Sequence, residues 1–139
     1  MRIYFCGSIL GGRDDAAIYR HIVDWLQLQR HTVTTSHVAD ADVLEKERSL
    51  SDRAIFERDQ RWLHEADAVI AEVSNPSLGV GYEIAIGIQR GIPVLCVYRE
   101  GLRISRMITG NNAPNLEVRT YEDINELDLH LAVFLYSPE

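Results

Sequence analysis

The feature that most restricts this 139-residue chain is an alternation of short apolar runs with longer amphipathic ones. Ile3–Cys6, Ala68–Val73 (AVIAEV) and Pro93–Tyr98 (PVLCVY) have strand length and almost no polar face. Strands of that kind are buried on both sides, as in a parallel sheet covered by helices. Thr32–Thr35 is a β-branched run that predicts a further strand, and Leu116–Arg119 predicts a weaker one. Between them, helices are predicted over Asp14–Arg30, Ser51–Glu65, about Tyr82–Arg90 and Ile124–Leu135, with a short helical piece at Ser105–Ile108. In the first, Ile18, Ile22, Trp25 and Leu26 fall near helical spacing, and Asp14 and Asp15 suit its N-terminal dipole end. Val38–Lys46 reads as polar and irregular, Asn75-Pro76 as a turn, and Gly91 as the cap of the preceding helix. The expected fold is α/β, one domain over residues 1–139, with five parallel strands and helices on both faces. In such a sheet ligands bind beyond the carboxyl ends of the strands. That directs attention to the loops after Phe5, Thr35, Val73 and Tyr98.

Charge narrows the choice of ligand. The chain carries 14 Lys+Arg against 21 Asp+Glu, a net charge of −7. A nucleic-acid polymer needs a basic footprint, so it is not an expected partner. Lys46 is the only lysine, in a polar stretch, which argues against Schiff-base and P-loop lysine chemistry. Cys6 and Cys96 lie inside apolar runs without zinc-ligand spacing and read as buried thiols; no metal or cofactor is expected. No apolar run approaches the roughly 18 residues of a membrane span. The opening Arg2-Ile3-Tyr4-Phe5 lacks the pattern of a secretory leader. A cytoplasmic location is expected, with the nucleus an option in a eukaryote.

Two loops join a strand to a helix in ways that suit an anion. Gly7-Ser8-Ile9-Leu10-Gly11-Gly12-Arg13 offers backbone N–H groups, a hydroxyl and a guanidinium at a helix N-terminus. It is neither a dinucleotide fingerprint nor a Walker loop, and it reads equally as a plain turn. In Asn75–Glu83, Ser77 and the amides around Gly79 offer a second anion contact. Glu83 is placed in the first turn of the next helix, where the dipole would keep it charged, as a nucleophile or merely as a cap. Asp59 shares a helix face with Ile55 and Trp62; it is either a solvated carboxylate or the second acid that glycosyl chemistry needs. His37 follows the second strand and could meet a base or a phosphate. Tyr4 either packs in the core or brings its hydroxyl to a carboxylate. His21, His31, His64 and His130 read as surface or packing residues.

Several blocks carry a resemblance: Tyr4–Ile9, Gly11–Arg13, His37–Ala41, Ala66–Val69, Ala71–Val73 and, most specifically, Pro76-Ser77-Leu78-Gly79-Val80-Gly81-Tyr82-Glu83. They resemble the 2′-deoxynucleoside 5′-phosphate N-hydrolase branch of the nucleoside 2-deoxyribosyltransferase family, from Arg2 to about Tyr136. The resemblance implies a flavodoxin-like fold, a homodimer, and cleavage of deoxynucleoside 5′-monophosphates to free base and 2-deoxyribose 5-phosphate. Glu83 matches the nucleophile, Asp59 the acid/base residue, and Tyr4 the tyrosine that binds the nucleophile and crowds the sugar's 2′ side. Gly7, Ser8, Ser77 and Gly79 match phosphate-binding positions, with Ile9, Leu10, Gly11, Gly12 and Arg13 completing that loop. His37 matches a pocket residue, and Ser105 and Met107 match residues that reach the neighbouring subunit's site. Leu10 stands where the family usually has arginine, so any contact of that side chain is missing. Ser77 stands near an aspartate of the free-nucleoside transferases, which removes a charge that would repel phosphate. Three rival activities remain at this level: hydrolysis of ribonucleotides such as cytidine monophosphate, base exchange, and non-catalytic nucleotide binding.

Overall fold

The computed structural model describes residues 1–9 and 15–137. The five strands are β1 (Arg2–Cys6), β2 (Thr32–Val33), β3 (Ala68–Glu72), β4 (Val94–Arg99) and β5 (Leu116–Tyr121). The helices are α1 (Ala16–Leu28), α2 (Val43–Arg48), α3 (Asp52–Glu65), α4 (Leu78–Gln89), α5 (Arg106–Thr109) and α6 (Ile124–Tyr136). All strands are parallel, in the order β2-β1-β3-β4-β5. This is the flavodoxin-like order, whose switch point lies between β1 and β3.

Alternation along the strands builds two cores. Ile3 and Phe5 of β1 face one side with Ile70, and meet Ile22 and Leu26 of α1 and Leu131 of α6. Tyr4 and Cys6 face the other with Val69 and Ala71, and meet Leu63 of α3 and Ile84 of α4. At Gly87 a Cβ would lie 3.0–3.1 Å from methyls of Val69 and Val94, so glycine lets α4 rest directly on the sheet.

Several boundaries differ from expectation, each for a local reason. The strand expected over Thr32–Thr35 stops at Val33. Thr35 instead turns its hydroxyl onto β1, accepting from the Phe5 amide (2.8 Å) and donating to the Phe5 carbonyl (2.7 Å). Its side chain replaces the main-chain pairing there. The stretch expected to be irregular holds a 3-10 turn, Ser36–Ala39, and helix α2, which buries only Val43 and so shows no helical period. Helix α1 ends at Leu28 rather than Arg30, because Arg30 adopts a left-handed backbone (φ 65°). Asp14, its expected start, lies outside the described residues. Helix α4 begins at Leu78, not Tyr82: the Ser77 hydroxyl accepts from the Val80 amide (3.3 Å) and caps a helix that contains Gly79 and Gly81. Ser51 and Ser105 likewise cap α3 and α5, so both helices start one residue later than expected. Strands β4 and β5 run on to Arg99 and Tyr121, and β3 stops at Glu72. Gly91 (φ 72°) ends α4 as expected.

A buried polar knot fixes the carboxyl ends of three strands on the α1/α6 face. Glu72 is fully buried and accepts from the Tyr121 hydroxyl (3.0 Å) and from the hydroxyl and amide of Ser74. Burial pushes its carboxyl above the ordinary range. The Arg99 amide donates to Ser74 Oγ (2.9 Å), and its guanidinium pairs with the buried Asp15 ahead of α1.

Gly7, just past β1, makes a tighter constraint. A Cβ there would meet the Tyr19 ring at 2.7 Å. That ring is buried edge-on against Phe5, and its hydroxyl accepts from the Ser8 amide (2.9 Å). Gly7→Ala is therefore an overpacking change and should cost about 1–3 kcal/mol. Denaturant unfolding should show a lower midpoint at unchanged slope; an unchanged midpoint would contradict this packing.

Candidate active site

The α3/α4 face carries the other polar cluster, past the switch point of the sheet. Tyr4 is almost fully buried in β1, and its hydroxyl donates to Glu83 Oε1 at 2.7 Å. The Cys6 thiol, two residues along the same strand face, also hydrogen-bonds Glu83. Glu83 lies in the second turn of α4 rather than the first. The helix dipole fades within one turn, so it does not keep this carboxylate charged as expected. Burial dominates instead and, with the nearby charges of Asp59 and Glu47, lifts Glu83 from the ordinary 4.5 to about 7, against the opposing bonds from Tyr4 and Cys6. Burial and the Glu83 charge in turn push the Tyr4 hydroxyl and the Cys6 thiol far up, so both stay protonated donors.

Asp59 comes from α3, with its side chain 24% exposed. Its neighbour Arg58 donates to it through Nε (2.8 Å) and to Glu47 of α2 through Nη2 (2.6 Å). The Arg58 guanidinium also lies 4.9 Å from the Trp62 ring. His37, in the 3-10 turn after β2, has Nε2 3.2 Å from Glu47 Oε1 and 3.3 Å from Arg58, and its ring packs on Trp62. Burial and the Arg58 charge lower the His37 pKa, which favours the neutral ring. The structure thus brings Tyr4, Asp59, Glu83 and His37 into one region.

The remaining candidates divide. Ser77 caps α4 and, with Ser105 and Met107, lines a groove of about 500 Å³ between α4 and α5. Gly79 lies in the first turn of α4. Gly7 and Ser8 sit at the end of β1; the Ser8 amide is engaged by the Tyr19 hydroxyl rather than offered to an anion. Ile9 follows, partly buried against the α1 core. Leu10, Gly11, Gly12 and Arg13 lie outside the described residues.

Four members of the cluster escaped sequence reasoning: Cys6, Glu47, Arg58 and Trp62. The signal for the last two was their spacing on α3, where Arg58 and Trp62 stand four apart and flank Asp59. Nothing local marked Glu47, which reaches Arg58 and His37 only through the fold.

Residues 3–124 match the family model for nucleoside 2-deoxyribosyltransferase. The chain belongs to the nucleoside 2-deoxyribosyltransferase family. Its relatives within the family include a Nematostella vectensis protein named "Putative 2'-deoxynucleoside 5'-phosphate N-hydrolase 1", 46% identical over 138 residues, covering 96% of this chain and 93% of the relative. The mouse 5-hydroxymethyl-dUMP N-hydrolase is 44% identical over 144 residues, covering 99% of this chain and 82% of the relative. A solved CMP N-glycosidase of Clostridium botulinum shares the fold, with TM-score 0.72 over 97% of this chain and 100% of that one at 18% identity. A 2-deoxyribosyltransferase of Bacillus psychrosaccharolyticus does so with TM-score 0.67 over 92% and 90%, also at 18% identity.

The raised Glu83 pKa has a definite consequence for stability. The folded chain holds this proton more tightly than the unfolded chain, so the stability it contributes is present below 4.5 and lost as pH rises through about 7. Glu83→Gln cannot ionise. Its stability relative to the wild type should rise from about pH 5 to about pH 8 in denaturant unfolding, and a difference independent of pH would refute the assignment.

Proposed function

We propose that the chain hydrolyses the N-glycosidic bond of 2′-deoxynucleoside 5′-monophosphates, releasing the free base and 2-deoxyribose 5-phosphate. The observation that carries this reading is the Tyr4–Glu83 hydrogen bond with the Asp59 charge near the same carboxyl. Two carboxyl groups flanking one space are what glycosyl transfer by a covalent intermediate requires. The names of the relatives support the same substrate class.

In this mechanism Glu83, ionised, attacks C1′ and the bond to the base breaks. The Tyr4 hydroxyl holds Oε1 and aims the other oxygen at the sugar. Asp59 then removes a proton from water, which attacks C1′; Glu83 leaves as carboxylate, and the proton goes on to the base. Splitting the substitution in two is ordinary covalent catalysis. Ser77 and Gly79 at the start of α4, with the Gly7–Arg13 loop, are the proposed phosphate anchors, and anchoring a remote group helps orient the reacting centre. Tyr4 is the residue proposed to disfavour a 2′-hydroxyl. The two free buried thiols support a reducing, cytoplasmic compartment.

A substrate panel tests this reading. Deoxy and ribo nucleosides, with and without 5′-phosphate, are incubated with the protein and released base is measured. Deoxynucleoside monophosphates should be cleaved best, with an acidic limb in kcat/KM near the Glu83 value of about 7. Glu83→Ala should abolish release, and activity retained in that variant would remove Glu83 from the nucleophile role.

The same reading includes a homodimer. Leu78 (97% exposed) and Met107 (83% exposed) project beside the α4–α5 groove, an apolar surface suited to cover by a second copy. Sedimentation should give a dimer, and Leu78→Glu should give a monomer with weakened substrate binding; a monomeric wild type would refute the dimer.

A further inference from the structure

Arg58 is the feature of this cluster that the reaction above does not use. Its side chain is only 17% exposed and it stands between two carboxylates. Nε serves Asp59, and Nη2 serves Glu47 and touches His37. Nη1, with two N–H donors, has no protein partner among the described residues. The ring of Trp62 holds the guanidinium plane from one side. A half-buried guanidinium with one unused edge is a donor site awaiting an acceptor, because arginine has donors only.

The place of the guanidinium limits what its free donors can meet. Any base atom that exchanges a proton with Asp59 lies within a hydrogen bond of Asp59, and Arg58 Nε is already 2.8 Å from Asp59 Oδ1. The base leaving C1′ above Glu83 therefore passes beside the guanidinium. When the bond from C1′ to nitrogen breaks, its electron pair goes to the base and spreads onto any carbonyl oxygen conjugated with that nitrogen. Donors aimed at developing charge lower the barrier, most of all where water is excluded.

On this basis, and resting on the hydrolase reading above, we propose that Arg58 is a catalytic residue that donates from Nη1 to a carbonyl oxygen of the departing base. It holds the base as an anion until Asp59 passes on the proton taken from water. The substrate class narrows accordingly to deoxynucleotides of oxo-bearing bases: uracil, thymine, cytosine and guanine rather than adenine, which carries no carbonyl. The arrangement also accounts for an acid/base residue that is ion-paired in the resting site. If Arg58 stabilises the leaving base, Asp59 can begin the cycle as the carboxylate that it must be to activate water.

The test compares kcat/KM for the deoxyuridine and deoxyadenosine monophosphates in the wild type, Arg58→Gln and Arg58→Lys. The wild type should favour the uracil substrate. Arg58→Gln should lose about 100-fold on it, the scale of one lost donor to developing charge, and far less on the adenine substrate. The uracil-to-adenine ratio should thus collapse in Arg58→Gln and be partly kept in Arg58→Lys, which retains the charge without the fork. The ratio is read within each variant, so any loss of folded protein cancels. Equal losses on both substrates would overturn the proposal, because a role confined to holding Asp59 or Glu47 acts on every base alike. No base release from any nucleotide by the wild type would instead overturn the hydrolase reading itself.

Discussion

The parallel pairing of β1 with β3 is the constraint from which the rest of the site follows. Ile3 to Cys6 lie level with Ala68 to Ala71, so the loops after both strands leave the sheet together. Helix α1 packs on one face of the sheet and α4 on the opposite one, and on the α4 face Tyr4 reaches Glu83. A slip of one residue in β1 would turn Tyr4 and Cys6 into the α1/α6 core and leave Glu83 without its donors.

The α1/α6 face buries Glu72 and Asp15 and the α3/α4 face half-buries Glu83, and the two faces treat their acids differently. Glu72 is satisfied by Tyr121 and Ser74, and its neighbour Asp15 has Arg99. Among the described residues Glu83 has neutral donors, Tyr4 and Cys6, and no cation paired with it. The nearby cation, Arg58, is committed to Asp59 and Glu47. A carboxylate held by neutral donors keeps more of its nucleophilic character than one locked in an ion pair. The difference between the faces is that between an acid held for structure and the one proposed to react.

Much of this was legible in the chain. The apolar runs specified the parallel sheet, and the order of blocks around Pro76–Glu83 pointed to the family. Other parts needed three dimensions. Gly79 and Gly81 look like loop residues until the Ser77 cap is seen to start a helix through them. The dipole argument for Glu83 failed because that earlier start moves it one turn inward, where burial outweighs the helix end. Arg58 and Glu47 look solvated because each sits in a charged stretch. Their meeting with His37 and Trp62 depends on a short helix, α2, whose single buried residue leaves no periodic trace.

Thr35 has a consequence beyond its own strand. By turning its hydroxyl onto Phe5 it ends β2 after two residues, so that edge of the sheet is too short to template another strand. A chain with this edge does not grow by adding strands, and crowding does not convert it into stacked ribbons through that side. On that side of the sheet, contacts are left to side chains rather than to main-chain groups.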